Sequence, residues 1–136
     1  FIKDYVETKK VSLQFFMFSF LGNESDAAAQ ATFCALDQGK FWEYHDVVFA
    51  NQNGENQGWF TTDRLIAFGE KIGLDTTAFR DCLRSGKYKD RVAQETTQGR
   101  QRGITATPGF VVNGKPVYWK ELIATIEEEL AKSAPK

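Results

Sequence analysis

The sequence predicts an α/β domain: a mixed sheet interrupted by a helical insertion over about residues 24–103. Three observations carry this. Residues 11–18, VSLQFFMF, read as a strand with Val11, Leu13, Phe15 and Met17 on one face. Residues 109–118 read as a hairpin, because an apolar run ends in Asn113-Gly114, the strongest short hairpin signal. Five segments of helical character lie between them, more than a single strand-to-strand crossover needs.

The elements follow in order. Residues 1–9 read as the end of a helix, with Ile2, Tyr5 and Val6 on one side. In the strand 11–18, Phe16 and Phe18 make the second face apolar too, as in an interior strand covered by helices on both sides. Ser25 or Asp26 is expected to cap a helix to Gln38, with Ala27, Ala31, Cys34 and Ala35 on one face and Gly39 as its stop. The next helix, 41–51, is expected to bury Phe41, Tyr44, Val48 and Trp42, and residues 51–58 form a polar loop. Thr61 or Thr62 caps a third helix to about Ile72, with Leu65, Ile66 and Phe68 inward. Asp75 caps a short fourth helix carrying Ala78, Phe79, Cys82 and Leu83, and Gly86 ends it. Residues 87–102 make a polar fifth helix whose inward residues are Tyr88, Val92 and Ala93. After the hairpin, residues 119–132 form a closing helix with Leu122, Ile123, Ile126 and Leu130 at helical spacing, and Pro135 lies in a polar tail.

The composition narrows the function classes. A chain of 136 residues, 42% hydrophobic, suits one core. A net charge of −1 supplies no field for nucleic acid or an anionic membrane surface. No apolar run approaches the ~20 residues of a membrane span. The chain has neither an initiator Met nor a basic start leading into an apolar run, and its first residues read as the middle of an amphipathic helix. It is therefore expected to begin inside an element, either as a fragment or with its N-terminal part not retained.

Three phrases carry a family resemblance: FCALDQGKFWEYHDVVFANQ at 33–52, GLDTTAFRDCLRSGKY at 73–88 and GITATPGFVVNGKPV at 103–117. Together they resemble the DsbA-like branch of the thioredoxin superfamily, the thiol–disulfide oxidoreductases. The resemblance implies a thioredoxin-like mixed sheet and one domain over 1–136, with 24–103 as its helical insertion. It implies cysteine-containing client proteins and a redox partner protein, an extracytoplasmic setting, and no cofactor, metal or nucleic acid. It also implies a Cys-x-x-Cys pair at a helix N-terminus, where the dipole and free N–H groups stabilise a thiolate.

This sequence has no such pair: its two cysteines, Cys34 and Cys82, are 48 positions apart (82 − 34). By the family's order, the pair and the central strand before it would precede Phe1, so the chain itself is expected to be inactive. Losing that strand would leave two strand edges open, for residues preceding Phe1, another chain or a rearranged pairing to fill. Thr107 and Pro108 are what the resemblance assigns to the active site. It implies a cis bond between them, against a base rate of ~5% for X–Pro bonds, and a Thr107 backbone able to pair with an extended client peptide.

Two readings stay open for Cys34 and Cys82. They are small buried hydrophobes, or, as in some relatives, a structural disulfide tying the first inserted helix to the fourth. His45, the sole histidine, reads as a packing or partly exposed residue rather than a metal ligand. Glu127, Glu128 and Glu129 read as a solvated helix face, and Trp42 and Trp59 as core packing. A non-catalytic peptide-binding or chaperone-like module is the alternative function. A glutathione-dependent enzyme on a related fold is weaker, because no glutathione site is recognisable.

Overall fold

The computed structural model describes residues 1–133, so Pro135 lies outside the described residues. The chain is mostly helical, with one small sheet. After a single π-helical turn at Ile2–Val6 come α1 (Asn23–Leu36), α2 (Phe41–Ala50), α3 (Thr62–Lys71), α4 (Thr76–Ser85) and α5 (Lys89–Gln101). Strands β1 (Phe110–Val112) and β2 (Lys115–Val117) follow, then a 3-10 turn at Trp119–Glu121 and α6 (Leu122–Ser133). Contacts divide the chain into two units, one of residues 17–96 and one of 1–16 with 97–136.

The unit of residues 17–96 is a helical cluster. Ala31 and Ala35 of α1 are fully buried, and their small side chains let neighbouring helices approach. Tyr44 and Val48 of α2, Leu65 and Ile66 of α3, Leu74 and Phe79 complete this core. The Tyr44 hydroxyl donates to the Leu65 carbonyl at 2.8 Å, so a polar tip is satisfied inside an apolar core. Burial pushes the Tyr44 phenol well above its ordinary range. A second cluster gathers Met17, Ala29, Phe33 and Val92.

Helix ends follow local chemistry. The Thr61 hydroxyl accepts from Arg64 N–H at 3.4 Å and the Asp75 carboxylate from Ala78 N–H at 3.0 Å, the N-caps of α3 and α4. Gly86 ends α4 in the left-handed region, φ 66°. Ser25 and Asp26, expected caps, instead lie inside α1, which starts three residues before Asp26 with Gly22 as N-cap. Asp26 accepts from the Ser19 hydroxyl. The Glu24 carboxylate reaches out of α1 to Gly58 N–H at 2.5 Å and to Trp59 and Phe60 N–H at 3.2 Å each. It thereby holds the end of the 51–58 loop.

The unit of 1–16 and 97–136 holds the hairpin. β1 and β2 pair antiparallel, Phe110 opposite Val117 and Val112 opposite Lys115. Asn113 and Gly114 turn with φ of 47° and 84°, the left-handed values a two-residue hairpin turn requires. The Asn113 amide donates to Glu129 of α6 at 2.9 Å, and the Tyr5 hydroxyl donates to Glu127 at 2.5 Å. The three glutamates form an exposed to half-buried helix face, as expected, and two of them also bond to neighbouring segments of the unit. At Glu129 the Lys132 ammonium and the Asn113 amide hold the carboxyl below its ordinary value.

Residues 11–18 are the main departure from expectation: no strand forms there. A strand exists only when its backbone groups are matched by a neighbour, and among the described residues the sole ladder is β1 with β2. Backbone groups near its end bond to side chains instead, Met17 N–H to Glu95 at 2.8 Å and Ser19 N–H to Thr96 at 3.0 Å. Trp42, expected inside, is 47% exposed on α2, and Ala78 is exposed on α4. Both lie one position from the inward stripe of short helices, where periodicity discriminates least.

Candidate functional site

The loop before β1 is shaped by two glycines. After α5, Gly103 adopts φ 84° and Ile104 N–H bonds back to the Gly99 carbonyl at 3.0 Å, closing the helix end. The chain then runs over exposed Thr105, Ala106, Thr107 and Pro108, and the Thr107–Pro108 peptide bond is cis. Gly109 follows, pressed against the loop's own base. A Cβ there would lie 2.5 Å from Ile104 Cγ2 and 2.9 Å from the Ala106 carbonyl oxygen. Gly109→Ala is expected to push the Thr107–Pro108 loop outward at a cost of roughly 1–3 kcal/mol. Urea unfolding measures the cost, and amide-proton shifts of residues 104–108 report the displacement.

The second arrangement lies wholly within residues 17–96. Cys34 of α1 and Cys82 of α4 form a disulfide, with S–S 2.04 Å and Cα–Cα 5.9 Å. Cys34 is 1% exposed, whereas Cys82 is half-buried. Beside them a groove of about 520 Å³ is lined by both cysteines and by Asp37, Asp81, Ser85 and Lys87. Asp37 Oδ2 lies 3.9 Å from Cys82 Sγ and accepts from Lys87 Nζ at 2.7 Å. Tyr88 donates its hydroxyl to the other oxygen of Asp37.

Burial works to raise the Asp37 carboxyl, but the bonds from Lys87 and Tyr88 outweigh it and hold the group below its ordinary 3.8. A depressed carboxylate contributes stability that is complete above the unfolded value and is lost as pH falls through the folded one. Asp37→Asn is therefore expected to be less stable than the parent at neutral pH, the gap closing below pH 3.8. The gap is small, because solvent screens the exposed Lys87 partner. Urea midpoints of both proteins along a pH series measure it.

His45 lies on α2 with its Nδ1 3.0 Å from Asp46 Oδ1 and its ring 4.5 Å from that of Phe49. Among the described residues, no group of three or more His, Cys, Asp or Glu side chains could hold a metal ion. No helix among them is long and apolar enough to cross a membrane. Trp59 is half-buried in the 17–96 unit, with the Arg64 guanidinium 3.6 Å over its ring. Sequence reasoning had no signal for the groove. It forms where α1, α4 and the α4–α5 turn converge across some 50 positions, roughly the reach of the disulfide loop.

A family model described as thioredoxin matches residues 1–131. The probable disulfide bond formation protein D of Bacillus cereus is 30% identical over 136 residues, covering 96% of this chain and 63% of that protein. The chain thus spans somewhat less than two thirds of this curated relative. Among solved structures, oxidised BdbD from Bacillus subtilis superposes with a TM-score of 0.82 at 26% identity, covering 96% of this chain and 74% of that one. Oxidised Mtb DsbA superposes with a TM-score of 0.65 at 28% identity, covering 84% of this chain and 63% of that one.

Proposed function

This chain belongs to the thioredoxin superfamily, on its DsbA-like branch, and from that membership we propose that the protein carrying it is a thiol–disulfide oxidoreductase of exported proteins. The observation that carries the reading is the 30% identity over 96% of this chain to a probable disulfide bond formation protein. We read residues 1–136 as one thioredoxin-type domain with 24–103 as its helical insertion. The setting is extracytoplasmic, and the partners are cysteine-containing clients and a redox protein that resets the site.

The exchange runs by attack of a thiolate on a disulfide sulfur. It passes through a mixed disulfide, and one dithiol is oxidised as the other disulfide is reduced. In this reading the nucleophilic pair is supplied from outside residues 1–136. Neither Cys34 nor Cys82 is at a helix N-terminus: Cys34 is in the last turn of α1 and Cys82 in the last turn of α4. A helix C-terminus disfavours a thiolate, where an N-terminus favours one. Thr107 and Pro108 are exposed, and the Thr107 backbone is the edge that would pair with an extended client segment.

Two proteins test this. Residues 1–136 alone are expected not to accelerate insulin reduction by dithiothreitol above the uncatalysed rate, whereas the full-length protein accelerates insulin reduction or oxidises a reduced client. Catalysis by residues 1–136 alone would overturn the placement of the nucleophile. A full-length protein that binds unfolded peptides without exchanging disulfides would overturn the enzyme reading in favour of a peptide-binding module.

A further inference from the structure

The Cys34–Cys82 disulfide is not used by the proposed chemistry, yet both of its cysteines line an open groove, Cys34 only 1% exposed and Cys82 half-buried. We propose that this disulfide is a second exchange site, open in the folded protein to small thiols and attacked only at Cys82. The proposal rests on the burial and the groove around this bond and not on the function proposed for the whole protein.

Access decides which sulfur reacts. Thiol–disulfide exchange requires the incoming sulfur to touch the sulfur it attacks. Cys34 is 1% exposed and packed among Ala31, Ala35 and Phe79 in the central core. Cys82 belongs to the half-buried rim of that core and lines a groove of about 520 Å³. A groove of that size admits a small molecule, whereas a folded client would have to open the helices first. Asp37, Gln38, Asp81, Ser85 and Lys87 rim a lining whose surface is otherwise mostly apolar, so a small thiol with polar ends and an apolar stem, such as cysteine, suits it.

The step balances as follows. The thiolate sulfur bonds to Cys82 Sγ as the Sγ–Sγ bond breaks, and the electron pair leaves on Cys34 Sγ, which takes a proton from solvent. A second thiol then attacks the sulfur of the bound thiol and releases a small disulfide, and Cys82 is left reduced. Two thiols are oxidised and one protein disulfide is reduced. One local feature slows the first step without closing it. The departing Cys34 sulfur is left in the core near a helix C-terminus, where a thiolate is disfavoured. The Asp37 carboxylate stands 3.9 Å from the sulfur under attack, but its charge is countered by the Lys87 ammonium 2.7 Å away, which lines the same groove. The outcome is a bond that yields slowly, at one end, and whose reduction removes the covalent tie between α1 and α4.

The test treats the oxidised chain with excess L-cysteine under native conditions, stops the reaction with acid and N-ethylmaleimide, and maps the products by peptide mass spectrometry. The expected early product carries cysteine on Cys82 and maleimide on Cys34, exceeding the reverse product by on the order of tenfold or more. In urea-unfolded protein the preference is expected to vanish and the reaction to run faster. Equal labelling of both positions in the native protein, or a preference for Cys34, would overturn the assignment. So would a native protein that reacts only as fast as it globally unfolds, because exchange would then not use the groove. The wild-type protein suffices, so no variant has to fold for the result to count.

Discussion

Replacing both Cys34 and Cys82 with alanine is expected to remove about 4 kcal/mol of stability. The bond closes a loop with a sequence separation of 48 residues, and the entropy it removes from the unfolded chain grows with the logarithm of that span. The loss corresponds to a fall in melting temperature of roughly 12 °C for a chain of this size. Comparing the oxidised parent, the reduced parent and the double variant in urea separates two contributions. Reduction reports the cross-link. The further difference between reduced parent and double variant reports the sulfur packed at Cys34, which is 1% exposed. A double variant within about 1 kcal/mol of the oxidised parent would show that α1 and α4 are held by packing alone.

Phe79→Ala is expected to cost roughly 3–5 kcal/mol. The ring is fully buried, with its centroid 5.3 Å from that of Tyr44, at the meeting of α2, α3 and α4. It also lies against the backbone of Gly69 in α3, where a Cβ would sit 3.1 Å from Phe79 Cδ1 and 3.2 Å from Leu74 Cδ1. Gly69 thus allows close approach at the expense of helix propensity. Gly69→Ala alone sets an overpacking cost of about 1–3 kcal/mol against about 1 kcal/mol of gained helix propensity and is expected to be neutral to destabilising. In the Phe79→Ala background it turns stabilising: the new methyl enters vacated space and alanine is the better helix former by about 1 kcal/mol. A double-mutant cycle in urea reads the coupling, and strict additivity would show that the two positions do not share this space.

What the sequence made legible depended on how locally each feature is determined. The Thr61 and Asp75 caps, the Gly86 stop and the Asn113-Gly114 turn involve residues within a few positions of each other, and they appear where the sequence puts them. The 11–18 segment has a strand's pattern but no ladder, since pairing is a property of two segments and pattern a property of one. Ala78 and Trp42 carry apolar side chains on the open side of short helices, and apolar character alone does not decide burial. At the candidate sites, Thr107 and Pro108 stood out through the family resemblance of the surrounding phrases. The grip of Glu24 on residues 58–60 and the convergence of Cys82, Lys87 and Tyr88 on Asp37 join positions 34 to 51 apart, and no local signal announces them.

The Glu24 contact bears on what can be grafted onto this scaffold. Because one carboxylate holds the backbone N–H groups of Gly58, Trp59 and Phe60, the entry into α3 is anchored independently of the residues just before it. Asn53, Gly54 and Glu55 are exposed at the tip, between α2 and that anchor. Lengthening a loop with pinned ends adds only about 0.6 kcal/mol for each doubling of its length. The 53–55 tip is therefore a port: a tag, an epitope or a reporter peptide spliced there is expected to leave the core of residues 17–96 and the disulfide groove intact.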